Sequence, residues 1–218
     1  LRIEKVNGNN PLLTLLKQRE EEAIKANTKI IVNSLAMKEE LLELYPGYSG
    51  KLFVIPNGID DIHFEGPRHD IDKTPFITTY GRISPEKGFD IFIEAAQLIT
   101  DKRRRQGLPV ISFMVFGKTD DSMEARRIYK EKLQALARGY ENIRLDLTPE
   151  GIWGDERIQL IDRSWFGVVP SLYEPFGLVI PEYMARGRAV IASLTHGARD
   201  ILATDSFGET PYGVVAYV

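Results

Sequence analysis

The chain has 218 residues, 43% of them apolar, with a formal net charge of −3 and a pI near 5.7. That is enough chain for one large domain or two small ones with a buried core, and its mild acidity leaves no electrostatic footprint for nucleic acid. With no cysteine there is no disulfide framework, thiolate nucleophile or Cys-type zinc site, and a cytoplasmic protein is expected.

The opening LRIEKVNGNN has no apolar core of the signal-peptide kind, and no run reaches the ~18 residues of a membrane span. It begins with Leu, so an upstream segment is expected. In chain order, PLLTLLKQREEEAIKA (11–26) reads as a helix, TKIIVNS as a short strand, LAMKEELLEL (35–44) as a helix and KLFVIPNG as an extended segment. FEGPRHDIDKT (64–74), polar and carrying Gly and Pro, reads as a linker.

Beyond it the pattern becomes regular. Strand PFITTY, helix FDIFIEAAQLITDKRRR, strand VISFMVFG, helix MEARRIYKEKLQALARGY, strand NIRLDL, helix DERIQLIDRS, strand WFGVVPS, a helix to about Arg186 and strand AVIAS follow in turn, and the chain ends on YGVVAYV. KRRR (102–105) reads as the solvated end of its helix. Strands alternating with helices imply an α/β fold, a Rossmann-like parallel sheet with helices on both faces. Ligands of such sheets bind at the carboxyl ends of the strands.

Three strand-end loops are therefore the candidates for chemistry. In GRISPEKG (81–88), Gly81 and Gly88 allow close backbone approach, while Arg82 and Lys87 place two cations at one mouth of the sheet. Such a pair suits a diphosphate, Arg by forking across two oxygens and Lys as a mobile charge; a β-turn with solvated charges fits the same residues. In EPFGLVIPE (174–182), Gly177 permits close approach, and the amides of Gly177, Leu178 and Val179 open a helix whose first turn tolerates Pro181. Glu174 and Glu182 then reach one ligand from two sides, as acceptors for the vicinal hydroxyls of a sugar or ribose; otherwise Glu182 serves the helix dipole and Glu174 the surface. SLTHGARD (193–200) reads as a turn in which His196 faces the strand mouth or solvent. His63 and His69 lie in or beside the linker, and no carboxylate or histidine cluster has metal-ligand spacing. Cations for a diphosphate with carboxylates for polyols on either side describe a nucleotide sugar.

PSLYEPFGLVIPEYMARGRAVIAS resembles the signature of the group 1 glycosyltransferases, retaining enzymes of the GT-B fold. The match runs over Pro170, Ser171, Glu174, Pro175, Phe176, Gly177, Leu178, Glu182, Met184, Ala185 and Gly187. GRISPEKG matches that family's Gly-Arg-x4-Lys-Gly loop at Gly81, Arg82, Lys87 and Gly88, and PNGID (56–60) with Phe64 matches the segment entering its second domain. The sequence departs from the pattern at His196-Gly197, where Gly-Gly is usual, at Pro181, and in LTPEGIW, which lacks a customary glycine. GARD is similar to the Gly-Leu-Arg-Asp of glycogen and starch synthases, the runner-up family on the same fold.

The resemblance implies that residues 1–63 are the tail of a first, acceptor-side Rossmann-like domain, 64–74 the linker, and 75–218 the nucleotide-sugar-binding domain, cut short at its C-terminus. It implies that Arg82 and Lys87 hold the diphosphate and offset the leaving charge. Glu182 would grip the ribose, and Glu174 the donor sugar beside the amides around Phe176 to Leu178. Hexose transfer with retention needs no metal in that family, hence no cofactor. The acceptor, and any peripheral membrane contact, would involve regions outside the chain, leaving this half expected to be inactive alone. A naturally split enzyme, a non-catalytic nucleotide-sugar sensor and a hydrolysing epimerase are the alternatives, and helix 11–26 is expected to expose apolar surface.

Overall fold

The computed structural model describes residues 11–202, 208–210 and 213–216. The opening LRIEKVNGNN and, in YGVVAYV, Tyr212 and the last two residues lie outside the described residues. The chain divides into two compact units, Leu1–Pro56 and Asn57–Val218.

The first unit holds helix α1 (Pro11–Ala26), strand β1 (Ile30–Val32), helix α2 (Leu35–Leu44) and strand β2 (Leu52–Val54). β1 and β2 pair in parallel, Ile30 opposite Leu52, so the unit contains a small βαβ element. Ser34 starts α2 by accepting the Met37 N–H at 3.0 Å, an N-cap contact worth about 1 kcal/mol. On α1, Leu15 and Leu16 are exposed.

The second unit is built on a seven-stranded sheet. Its strands are β3 (Phe76–Tyr80), β4 (Ser112–Lys118), β5 (Ile143–Thr148), β6 (Phe166–Val169), β7 (Ala189–Ser193), β8 (Gly208–Thr210) and β9 (Gly213–Ala216), in the spatial order β5-β4-β3-β6-β7-β9-β8. All neighbours are parallel except the edge pair β8–β9. β8 has no counterpart in the sequence reading.

Between the strands run α3 (Phe89–Arg105), α4 (Glu124–Ala137), α5 (Gly154–Arg163), α6 (Val179–Ala185) and α7 (His196–Leu202). The strand period of two divides the core. Ile77, Phe113 and Val115 pack under Phe89, Phe92 and Ile93 of α3 and Tyr129 and Leu133 of α4. Phe76, Tyr80, Met114 and Phe116 point the other way, to Ile161 of α5, Ile180 and Tyr183 of α6 and Leu202 of α7. Alternate residues buried on both faces explain why β3 is buried throughout.

The turn expected at SLTHGARD is instead the start of α7, at His196. Its physical cause is tertiary: Ala198 and Leu202 are drawn into the core, while Gly197 backs onto Phe176 so closely that a Cβ there would meet the Phe176 carbonyl oxygen at 2.1 Å. The polar stretch 64–74 belongs to the second unit and is tied down by two of its arginines. Arg186, fully buried, donates from both terminal nitrogens to the carbonyls of Glu65 (2.9 Å) and Pro67 (2.8 Å). Arg163 forks onto Asp72 at 3.0 Å through each of two nitrogens. Among the described residues no helix is long and apolar enough to cross a membrane.

Candidate functional site

From β3 the chain moves outward to β4 and β5, then returns to place β6 on the opposite side of β3. β3 and β6 therefore flank a topological switch point, the place at which sheets of this kind bind their ligands. The loops that follow these two strands are GRISPEKG and PSLYEPFGL.

Backbone contacts bind them together. Leu172 and Tyr173 donate their N–H groups to the Glu86 carbonyl, at 2.8 and 3.4 Å. Gly88 has φ +65°, and a Cβ there would lie 2.1 Å from the Pro170 carbonyl oxygen. A glycine is thus required both by the turn and by the approach of the second loop. It also starts α3 after a short 3-10 turn, Pro85–Lys87.

Across this junction Lys87 Nζ donates to Glu174 Oε2, and both side chains are mostly buried, 19% and 13% exposed. Ser171 Oγ approaches the same carboxylate oxygen at 3.5 Å. The Glu174 carbonyl accepts the Gly197 N–H at 2.9 Å, so α7 supports the loop from behind. Arg82 is placed differently. Its guanidinium is exposed and donates to Glu86 at 2.9 Å, where Ser84 Oγ also donates at 2.7 Å. Burial raises the Glu86 carboxyl pKa, but the Ser84, backbone and Arg82 hydrogen bonds outweigh it and hold the group below its usual range.

After Phe176, buried, Gly177 turns the chain at φ +90° and α6 begins at Val179. Leu178, the residue before it, is exposed. Pro181 is the third helical residue, where its missing N–H costs nothing. One position on, Glu182 projects from the first turn with its side chain 12% exposed.

Three side chains absent from the sequence reading of this site surround that carboxylate, one bonded to it, one beside it and the third behind the second. Tyr80, the last residue of β3, donates its hydroxyl to Glu182 Oε2. Burial, then the carboxylate beside it, push the Tyr80 hydroxyl well above its ordinary pKa, so it remains a donor. His63 Nε2, fully buried, lies 3.6 Å from Glu182 Oε1, and Arg157 NH2 of α5 lies 3.2 Å from the same nitrogen. The local sequence fixes His63: Asp60 caps the 3-10 turn Asp61–His63 by accepting the Ile62 N–H, so the family-like NGID places the histidine. Arg157 in turn lies over the exposed Trp153 ring, 5.3 Å from its centroid. A signal for these partners existed only in position, at a strand end and after a capped turn.

The structure thus brings Lys87 and Glu174 together, puts Glu182 at the start of the next helix, and sets Arg82 on the solvent side with Glu86. Among the described residues no group of three or more His, Cys, Asp or Glu side chains converges as metal ligands. Chemically, the junction offers a cation beside a carboxylate, and the helix that follows carries a second carboxylate hydrogen-bonded to Tyr80.

The family model described as Glycosyl transferases group 1 matches residues 61–210. Alpha-maltose-1-phosphate synthase of Mycolicibacterium smegmatis is 24% identical over 208 residues, covering 87% of this chain and 49% of its own. D-inositol 3-phosphate glycosyltransferase of Actinosynnema mirum is 26% identical over 188 residues, 82% of this chain and 44% of its own. The chain spans about half the length of the curated relatives it matches. HepE of Anabaena, solved in complex with UDP and glucose, superposes with a TM-score of 0.73 at 21% identity, covering 94% of this chain and 53% of that one. The fold is therefore the GT-B glycosyltransferase fold.

Proposed function

Because the chain belongs to the group 1 glycosyl transferases, we propose that it supplies the nucleotide-sugar donor site of a retaining hexosyltransferase. The observation that carries this reading is the Lys87–Glu174 pair at the switch point. A diphosphate bound at Lys87 sets its sugar beside Glu174, while Glu182, one helical turn into α6, accepts the ribose hydroxyls. A carboxylate for the ribose, a cation for the diphosphate and a carboxylate for the sugar match the order of groups in a nucleoside diphosphate sugar. HepE, a structure of the same fold, was solved with UDP and glucose.

In the reaction the sugar–phosphate bond breaks with the electron pair going to the diphosphate. Lys87 and, once turned from Glu86, Arg82 neutralise that charge. Glu174 lies by the oxocarbenium-like sugar and steadies its hydroxyls, with the amides of Gly177 and Leu178 beside it. The acceptor hydroxyl attacks from the face the diphosphate leaves, its proton passing to the departing phosphate oxygen, and configuration is retained. No metal enters this scheme. The acceptor and the other wall of the cleft come from chain beyond this span, so the chain alone binds donor and transfers poorly, since orientation and water exclusion are worth many orders of magnitude in rate.

Calorimetric titration with UDP, ADP and GDP, wild type beside Lys87→Ala and Glu182→Ala, tests the site. Each variant removes charge-assisted hydrogen bonds worth about 1.5–3 kcal/mol, roughly a 10- to 150-fold loss in affinity. Saturable binding of a nucleotide that is unchanged in both variants refutes the assignment.

A further inference from the structure

His63 is a poor choice for packing alone. It is fully buried, yet its Nδ1 has no hydrogen-bond partner, and a leucine or phenylalanine would fill similar space without that cost. What the histidine gains lies at its other nitrogen, between Arg157 NH2 at 3.2 Å and Glu182 Oε1 at 3.6 Å. Arg157 can only donate, so the shorter contact makes Nε2 an acceptor and puts the ring proton on Nδ1. In that state the ring offers Glu182 no proton, and Oε1 keeps its lone pairs for another donor.

A second ring proton changes this. It must go onto Nε2, where it turns the Arg157 contact repulsive and points a charged N–H at Glu182. The charged groups facing the ring are Glu182 from α6, Arg186 just past the end of α6, Arg157 from α5 and Asp60 from its own turn.

We propose that His63 is a positioning residue for Glu182: neutral, it leaves the carboxylate open to the ligand's ribose hydroxyls, and protonated, it takes that carboxylate as its own partner. Donor binding is then pH-dependent through a residue that never touches the donor. The inference rests on the assignment of Glu182 to the ribose. Burial lowers the pKa of the ring below its ordinary 6.5, so the protein works with His63 neutral at pH 7 and the effect sits on the acid side.

The test pairs two measurements on the whole chain. Nitrogen NMR of the His63 ring reads its tautomer and titration directly. Binding of UDP-glucose, ADP-glucose and GDP-glucose, whose diphosphates do not titrate in this range, is followed from pH 8 to pH 5 in wild type, His63→Gln and Glu182→Ala. Expected are an unprotonated Nε2 at pH 8 and a wild-type affinity that falls about tenfold for each pH unit below the ring's pKa. His63→Gln is expected to bind with little dependence on pH. A ring carrying its proton on Nε2 at pH 8, or a His63→Gln profile as steep as wild type while Glu182→Ala still weakens binding, overturns the role of His63 alone. Equal weakening of His63→Gln at every pH reveals only a packing role and also overturns it. Full affinity in Glu182→Ala, or a folded chain that binds none of the three, overturns the donor-site reading beneath it.

Discussion

Replacing Arg186 by Leu tests the energetic centre of the second unit. Its guanidinium forks onto Asp162, Nε to Oδ1 at 2.7 Å and NH2 to Oδ2 at 2.5 Å, with both side chains fully buried. The two carbonyls it also serves, on Glu65 and Pro67, belong to exposed residues, so water can replace it there. Asp162 has no such relief: besides Arg186 it accepts the His69 N–H at 3.0 Å. Breaking a buried pair from one side leaves an uncompensated charge and costs about 3–5 kcal/mol. For a chain of this size that is a melting-temperature drop of about 6–20 °C. Removing both partners, Arg186→Leu with Asp162→Leu, costs less than the single change, because only the His69 N–H is left without a partner. Urea denaturation followed by circular dichroism measures both. A single variant within about 1 kcal/mol of wild type, or a double variant as unstable as the single, refutes the electrostatic account. Because Arg186 also pins residues 65–67, just beyond His63, Arg186→Leu is expected to weaken nucleotide binding as well.

Gly88→Ala adds a methyl 2.1 Å from the Pro170 carbonyl oxygen at φ +65°. Overpacking of about 1–3 kcal/mol and a left-handed penalty of about 1–2 kcal/mol are expected together, with loss of nucleotide affinity; a thermal melt matching wild type contradicts the close approach. Acid should destabilise the chain in two stages. His63, held low by burial, is protonated first in the unfolded chain, so stability declines as pH falls from 6.5 toward the ring's folded pKa. Asp162 and Asp90 follow: burial raises their pKa, but the Arg186 fork on the first and the Lys132 and Tyr129 bonds on the second prevail and depress it. Their stabilisation is present above pH ~4 and lost below. Urea midpoints at pH 7.5, 5.5 and 3.5 in wild type and His63→Gln separate the stages, and a wild-type midpoint unchanged between pH 7.5 and 5.5 argues against the first.

The sequence by itself determined the elements and the loops that matter. Helix Phe89–Arg105 and strand Ala189–Ser193 occupy the spans their periodicity indicates, because the 3.6- and two-residue repeats are local properties of the chain. Glycines 88 and 177 marked their turns for the same reason. The strand-end loops that alternation singled out include the two that the sheet sets side by side at its switch point. Only the tertiary structure decided who partners whom. From His196 onward SLTHGARD became the start of a helix because Leu202 and Ala198 found a core, which local turn residues do not announce. Arg82 met Glu86 within its own loop, whereas Lys87 met Glu174 and Glu182 met Tyr80 and His63 from distant parts of the chain. Arg186, in the sequence only the approximate end of a helix, became the anchor of residues 65–67 while paired to a buried aspartate. Such pairings depend on which side chains the folded sheet carries to the same point, and no repeat or spacing along the sequence encodes that distance.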